Sequence, residues 1–318
     1  MNEISISVVM PVYAGETTVI KTLESLISQE TKFEELIVIN DASPDKSEEL
    51  IKKFLEESNF GNFKIISHKK NCGLAKSYNE GIKISKGNLI VTMHQDVIFP
   101  KDALGKLIAP LKDEKVVAAS HKVSHPLEIW NKYNFWQKCF FARQAGKDQF
   151  GIDGKFDCFR KEALFQAGLF DEKHFRSAGE DADILFALRK NGKVADSEAK
   201  IIHLHKVSEN FGYQDVVFKQ KQYSESRGVL LRKGKIKNLQ NFLEMFFREI
   251  LLVALLMPFA AYLSFALIIL YSFWYTKLVY LKEYKNPRVV ILPFFNIYLL
   301  FISFAYTFRG FIYGKQRI

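Results

Sequence analysis

Between residues 4 and 96 this chain alternates short, β-branched apolar runs with amphipathic stretches of helical period, and few folds accept that alternation. Residues 4–12, 36–40, 63–67 and 88–92 are too short for buried helices and read as strands. Three helices fall between them. The first covers about 17–28, with Ile20, Leu23, Leu26 and Ile27 on one face; the second has Ser43 as its N-cap and Pro44 at its first position; the third covers 74–85. The β-α-β-α-β-α-β order predicts a mostly parallel sheet with helices on both faces. Ligands of such sheets bind beyond the carboxyl ends of the strands. The run 87–96 stops there on His94-Gln95-Asp96, which places a metal-type pair at the mouth of a buried strand. The competing reading is that Asp96 merely caps a following turn.

Farther along, residues 100–149 are less regular and rich in aromatics, including Trp130, Tyr133, Phe135 and Trp136. Residues 156–168 read as a strand entering a helix, and 181–191 as a helix closed by Asn191-Gly192. Residues 199–205 read as a last strand ending in His203-Leu204-His205. Four polar clusters therefore stand at the ends of apolar segments: Asp41 with Asp45, His94 with Asp96, Glu180 with Asp181 and Asp183, and His203 with His205. Each has a structural reading. Asp41 can cap the helix at Ser43, Glu180 and Asp181 can favour a helix N-terminus electrostatically, and His203 can be a hydrogen-bonded core histidine. Together they suit the departure of a nucleotide diphosphate. That reaction needs a contact to base and ribose early in the sheet. It needs a divalent cation against the charge growing on the diphosphate, for which Asp96 with His203 or His205 would suit Mn²⁺. It also needs a carboxylate base at the start of another helix, where Asp181 stands.

The back of the chain differs in kind. Residues 219–318 hold 15 Lys/Arg against 4 Asp/Glu, so they carry the whole surplus behind the net charge of +10. This basicity flanks two charge-free runs, 250–276 and 289–308, which favours anionic lipid head groups over nucleic acid. Each run reaches the ~20 residues needed to cross a bilayer core, so two membrane spans are expected, with 277–288 connecting them. The flanks 227–248 and 309–318 carry nine basic residues against four in the connection, which predicts a cytosolic catalytic part. Residues 222–237 read as partly amphipathic and lying on the membrane surface, or as a solvated linker. Cys72, Cys139 and Cys158 show no metal spacing and suggest reduced thiols, and the N-terminus lacks the features of a cleaved signal.

Several segments resemble the family 2 glycosyltransferases, which have a GT-A fold. They are residues 7–13 (SVVMPVY), 38–45 (VINDASPD), 71–75 (NCGLA) with Asn79-Glu80-Gly81 and Lys86-Gly87, His94-Gln95-Asp96, 168–172 (GLFDE) with 177–183 (SAGEDAD), and 201–205 (IIHLH). The resemblance covers about 4–210 and is nearest to rhamnosyltransferase-like members with C-terminal membrane segments. It implies an inverting, single-displacement transfer from a nucleotide-sugar donor, with Asp181 as base beside Glu180. It implies that Pro11, Tyr13, Asp41, Ser43, Asn71, Gly73, Lys76, His94 and Gln95 lie on the donor side. Asp96, His203 and His205 would hold Mn²⁺ or Mg²⁺. One departure stands out: His94 replaces the first acidic residue of the metal motif.

The expectation is thus a catalytic domain at 1–218, a basic interfacial segment at 219–248 and a two-helix membrane anchor at 249–318. Such a protein would sit in the plasma membrane and act on a lipid-linked or growing glycan acceptor. Trp130, Trp136 and Phe150 would stack on a sugar or, more simply, pack in a core. Two rivals remain, a non-catalytic nucleotide-sugar-binding scaffold and a sugar-nucleotide pyrophosphorylase. The latter is disfavoured because Gly15 alone follows the first strand.

Overall fold

Strand β1 (Ile6–Val12) is buried along its whole length, as a strand with helices on both faces must be. The computed structural model describes residues 4–176, 178–204 and 210–318. The chain divides into two compact units, one of residues 1–125 with 147–206 and the other of residues 126–146 with 207–318.

In the first unit β1 is followed by α1 (Val19–Ile27), β2 (Glu35–Asn40), α2 (Ser47–Glu57), β3 (Phe63–Ser67), α3 (Leu74–Ile84) and β4 (Leu89–Met93). The chain continues through β5 (Val97–Ile98), α4 (Ala103–Ile108) and β6 (Val116–Ser124). Helices α5 (Leu127–Asn131) and α6 (Phe135–Phe141) come next in sequence and belong to the second unit. Then follow β7 (Asp148–Gly151), β8 (Phe156–Arg160), α7 (Lys161–Gln166), α8 (Glu180–Asn191) and β9 (Lys193–His203). Alternate residues of β1 feed two cores. Val8 and Met10 pack with Leu23, Ile51 and Leu104 on one face, and Val9 packs with Tyr78, Ile82 and Ile184 on the other.

The sheet order is β3-β2-β1-β4-β8-β6-β9-β5, with β7 on β6. The pairings β2–β3, β1–β2, β1–β4 and β6–β9 are parallel. The pairings β4–β8, β6–β8, β5–β9 and β6–β7 are antiparallel. The sheet is therefore mixed, not mostly parallel. Phe156, the first residue of β8, lies opposite Met93, the last of β4. The chain is already at the mouth when β8 begins, so β8 can only run back down the sheet.

One local expectation is also corrected. Helix α2 starts at Ser47, and Ser43 does not cap it. Ala42 turns the chain with φ 58°, and Asp45 accepts the Ser47 N–H at 3.1 Å, doing what was expected of Ser43. Gly192 does close α8, but with an extended φ of 171°. Glycine is needed there because a Cβ would meet Val117 Cγ1 at 2.4 Å.

The second unit adds α9 (Tyr213–Arg232), α10 (Leu239–Ala254), α11 (Ala261–Trp274), α12 (Lys277–Lys282) and α13 (Leu292–Tyr313) to α5 and α6. The charge-free run 250–276 is not one helix. It breaks between α10 and α11 around Pro258, which lacks an N–H and whose ring clashes with the preceding turn. Among the described residues one helical stretch, Pro287–Tyr313, is long and apolar enough to cross a membrane. Residues 222–232, expected at the surface, continue α9, and there Ser224, Glu225, Val229 and Leu230 are buried.

Helices α9 and α13 approach so closely that a Cβ on Gly310 would lie 2.0 Å from the Glu225 carbonyl oxygen. One on Gly228 would lie 2.0 Å from that of Thr307. Backbone cannot yield as a side chain can. Gly310→Val is therefore expected to cost about 3 kcal/mol or more and separate the pair, read as early thermal aggregation in detergent. Trp130 is buried, its indole N–H donating to the Lys138 carbonyl at 3.1 Å, and Trp136 packs edge-on to Phe295, so both are core residues. Phe150, in the first unit, is 58% exposed.

Candidate functional site

The carboxyl ends of β1, β2 and β4 carry the first group of expected residues. Pro11 lies past Val9, the last residue of β1 paired with β4. The Gln95 side chain clamps the Tyr13 backbone, accepting from its N–H at 2.8 Å and donating to its carbonyl at 2.7 Å. Ser43 Oγ accepts the Ala14 N–H at 3.3 Å, tying the turn after β2 to the end of β1. Asp41 is buried and engaged on both oxygens, accepting the N–H of Cys72 at 2.7 Å and of Gly73 at 2.8 Å. His68 bridges Asp41 and Glu80 at 2.7 and 2.8 Å; burial would lower its pKa, but these two carboxylates raise it. Asn71 donates to the Asp41 carbonyl at 3.4 Å. Gly73 holds φ 94° with the Arg176 carbonyl 2.6 Å from where a Cβ would stand. Asp41 therefore orders the 71–73 loop, and Lys76 stands exposed on the first turn of α3.

The second group forms where β5 pairs with β9. Val97 lies opposite His203, and Leu204 donates its N–H to the Asp96 carbonyl at 2.6 Å. That register brings His203 Nε2 to 3.0 Å from Asp96 Oδ2. His94 faces the same point, its ring edge-on to His203 at 6.3 Å between centroids. Burial pulls the His94 pKa down to about 4, with Asp96 opposing and Lys155 and His203 reinforcing, so the ring is neutral at physiological pH. One ligand atom each from His94, Asp96 and His203 lies within 4.8 Å of the others. Nitrogen and oxygen donors so gathered, with the buried His94 Nε2 lacking a hydrogen-bond partner among the described residues, fit a divalent cation. His205 lies outside the described residues.

A third group was not singled out from the sequence. The loop between β7 and β8 carries Asp153-Gly154-Lys155, and Asp157 follows inside β8. Asp157 is wholly buried, accepts the N–H of Asp153 at 3.0 Å and of Gly154 at 2.7 Å, and pairs with His121 Nδ1 at 3.0 Å. Lys155 Nζ reaches Asp153 at 2.5 Å. Burial opposes charge on His121, but Asp157 and Asp153 raise its pKa all the same. Buried Tyr78 donates to the Gly154 carbonyl at 2.7 Å. The Asp-Gly turn and a cluster of charges amid aromatics were the available signals.

Helix α8 supplies the fourth group. Glu180 is 5% exposed, and burial followed by the neighbouring Asp181 charge pushes its pKa up to about 8. Burial also raises Asp181, to about 6, with Asp153 and Asp157 adding to it against the Ala182 N–H and Lys155. Burial thus raises both carboxyls above the ordinary carboxylate range, Glu180 further than Asp181. Lys155 acts electrostatically on His94 and on Asp181 alike. The Tyr78 hydroxyl, held protonated chiefly by burial, also feels Asp157, Glu180, Asp153 and Asp96. The second, third and fourth groups accordingly share one electrostatic neighbourhood.

Comparison with known proteins bears on this arrangement. The family model described as glycosyl transferase family 2 matches residues 7–166. A poly-beta-1,6-N-acetyl-D-glucosamine synthase of Staphylococcus epidermidis is 29% identical over 178 residues, which cover 52% of this chain and 42% of that protein. The minor teichoic acid biosynthesis protein GgaB of Bacillus subtilis is 36% identical over 92 residues, 28% of this chain and 10% of that one. The chain spans less than half the length of these curated relatives. A solved mannosyltransferase from Pyrobaculum calidifontis, in complex with GDP-Man and Mn²⁺, has a TM-score of 0.62 at 14% identity. It covers 99% of this chain and 89% of its own. At that identity the likeness is one of fold.

Proposed function

We propose, from the premise that this chain belongs to glycosyl transferase family 2, that it transfers a sugar from a nucleotide-diphosphate donor to a glycan or lipid-linked acceptor with inversion. Its curled, mixed sheet is that of the GT-A fold. The observation that carries the reading is the shared neighbourhood of a cation-type group at the strand mouth and a carboxyl pair raised by burial at the start of α8.

Asp181, ionised at neutral pH, takes the proton of the acceptor hydroxyl as the new bond forms. Glu180 keeps its own proton, so the site carries one negative charge there instead of two. Asp96 and His203 would hold a divalent cation, with His205 as a further candidate. That cation, Mn²⁺ or Mg²⁺, supplies Lewis-acid neutralisation of the departing diphosphate. The 71–73 loop ordered by Asp41 and the Gln95-clamped backbone at Tyr13 form the donor side, with Pro11, Ser43, Asn71, Gly73 and Lys76.

A base that works only when ionised loses activity on acidification. kcat/KM is expected to fall as pH drops through about 6, the value to which burial raises Asp181. A pH profile from 5 to 8 checks this; a rate that is flat across that limb removes Asp181 from the role. The reading as a whole is tested by nucleotide release from UDP-, GDP- and dTDP-sugars, dTDP-rhamnose included, with and without Mn²⁺. Release from one donor, stimulated by acceptor, is expected. Silence with all of them rejects it.

For the anchor, we place the catalytic part at 1–218, an interfacial basic segment at 219–248 and membrane helices at 249–318, in the plasma membrane with a cytosolic site. The support is the apolar stretch Pro287–Tyr313 and the nine-to-four basic asymmetry. A first span from 250–276 has to accommodate the break at Pro258. Cysteine labelling at positions 284 and 316 from either side of the membrane tests the topology.

A further inference from the structure

His94 lies beside Asp96 and His203 at the mouth of the sheet. Residues 94–96 form the turn that joins β4 to β5. Within it, Gln95 is held by its two bonds to the Tyr13 backbone. The β5–β9 register fixes His203 against Asp96. The turn between β4 and β5 and the end of β9 thus bring His94, Asp96 and His203 to one point, with ligand atoms within 4.8 Å of one another. His94 Nε2 is buried there and has no hydrogen-bond partner among the described residues. Leaving such a nitrogen unmatched costs about 1–3 kcal/mol, so the arrangement calls for a group that accepts its lone pair.

We propose that His94 is itself a ligand of the cation, so that the site presents two imidazoles, His94 and His203, with the single carboxylate of Asp96. This deepens the transferase reading and rests on it. Imidazole suits Mn²⁺, Co²⁺ and Zn²⁺ far better than Mg²⁺, which demands octahedral oxygen ligands and sheds water reluctantly. Two imidazoles with one carboxylate also give the set a single negative charge, which suits a hard ion least. The histidine thereby sets the metal preference of this chain: borderline transition ions are held, and Mg²⁺ is a poor substitute.

The test uses the full chain in detergent, stripped with a chelator and without donor. Binding of Mg²⁺, Mn²⁺, Co²⁺ and Zn²⁺ is measured by calorimetry for the unmodified protein, His94→Asp, His94→Gln and Asp96→Asn. Pulsed EPR of the Mn²⁺-loaded proteins counts coordinated imidazole nitrogens, and circular dichroism verifies folding. The expected result is a fall of about ten-fold or more in the Co²⁺/Mg²⁺ affinity ratio in His94→Asp. The loss of one imidazole nitrogen from the EPR signal should accompany it in both His94 variants. The signals of His203 and His205 persist in each, so the count isolates His94. An unchanged ratio and nitrogen count in folded His94→Asp and His94→Gln overturns the proposal alone, provided Asp96→Asn loses the ion. If Asp96→Asn also binds every ion as before, no cation sits at this point, and the cation's part in the transferase reading falls as well.

Discussion

Asp181→Asn is expected to lower kcat by about 10³-fold or more while leaving donor affinity within a few-fold of the unmodified protein. Asparagine has the same shape, and its side-chain oxygen can still accept the Ala182 N–H that Asp181 accepts at 2.7 Å. It cannot take up a proton. The change therefore removes proton acceptance and little else, which is why the loss falls on kcat and not on binding. Product formation under saturating donor and acceptor, with donor affinity by calorimetry, separates the two. The same variant should abolish the acid limb of the pH profile. Activity within ten-fold of the unmodified protein would place the base elsewhere, and Glu180, raised to about 8, would be a poor replacement at neutral pH.

Asp157→Ala carries the largest expected effect on stability, about 3–5 kcal/mol. The carboxylate is wholly buried and serves three donors at once: His121 Nδ1 and the N–H groups of Asp153 and Gly154. Alanine leaves a buried imidazole and two backbone N–H groups facing no acceptor, and removing one partner costs more than the pair is worth. Denaturant unfolding followed by intrinsic fluorescence should show the midpoint shift. Asp157→Asn, which keeps one acceptor oxygen, should lose less. Because a Cβ on Gly154 would touch His94 Nε2, and Lys155 acts electrostatically on His94 and Asp181, transfer should fall together with stability in Asp157→Ala. An alanine variant as stable as the parent would mean that the His121–Asp157 contact contributes nothing to this fold.

Much of the first unit was legible along the chain. The runs at β1 to β4 are apolar and β-branched and too short for helices, so their type follows from period and length alone. His94 and Asp96 were visible as site residues because an apolar run breaks off onto polar groups only where it leaves the core. Glu180 and Asp181 announced themselves as an acidic helix start. The start of α2 was less legible, since Ser43-Pro44 reads as a helix start while the chain turns at Ala42 with φ 58° and the helix begins at Ser47. The break in 250–276 was foreshadowed by Pro258, but charge-free length outweighed it in the sequence.

Sequence by itself determined which segments are strands and helices, where the chain turns polar, and which carboxylates and histidines stand at segment ends. Those properties depend on neighbours within a few residues, through period, capping and burial. Tertiary structure alone decided that β8 runs against β4 and β6, that His121 meets Asp157 across the sheet, and that His94, Asp96 and His203 converge. Each of these joins residues far apart in the chain, where the strand register, and not any local preference, sets which side chains meet.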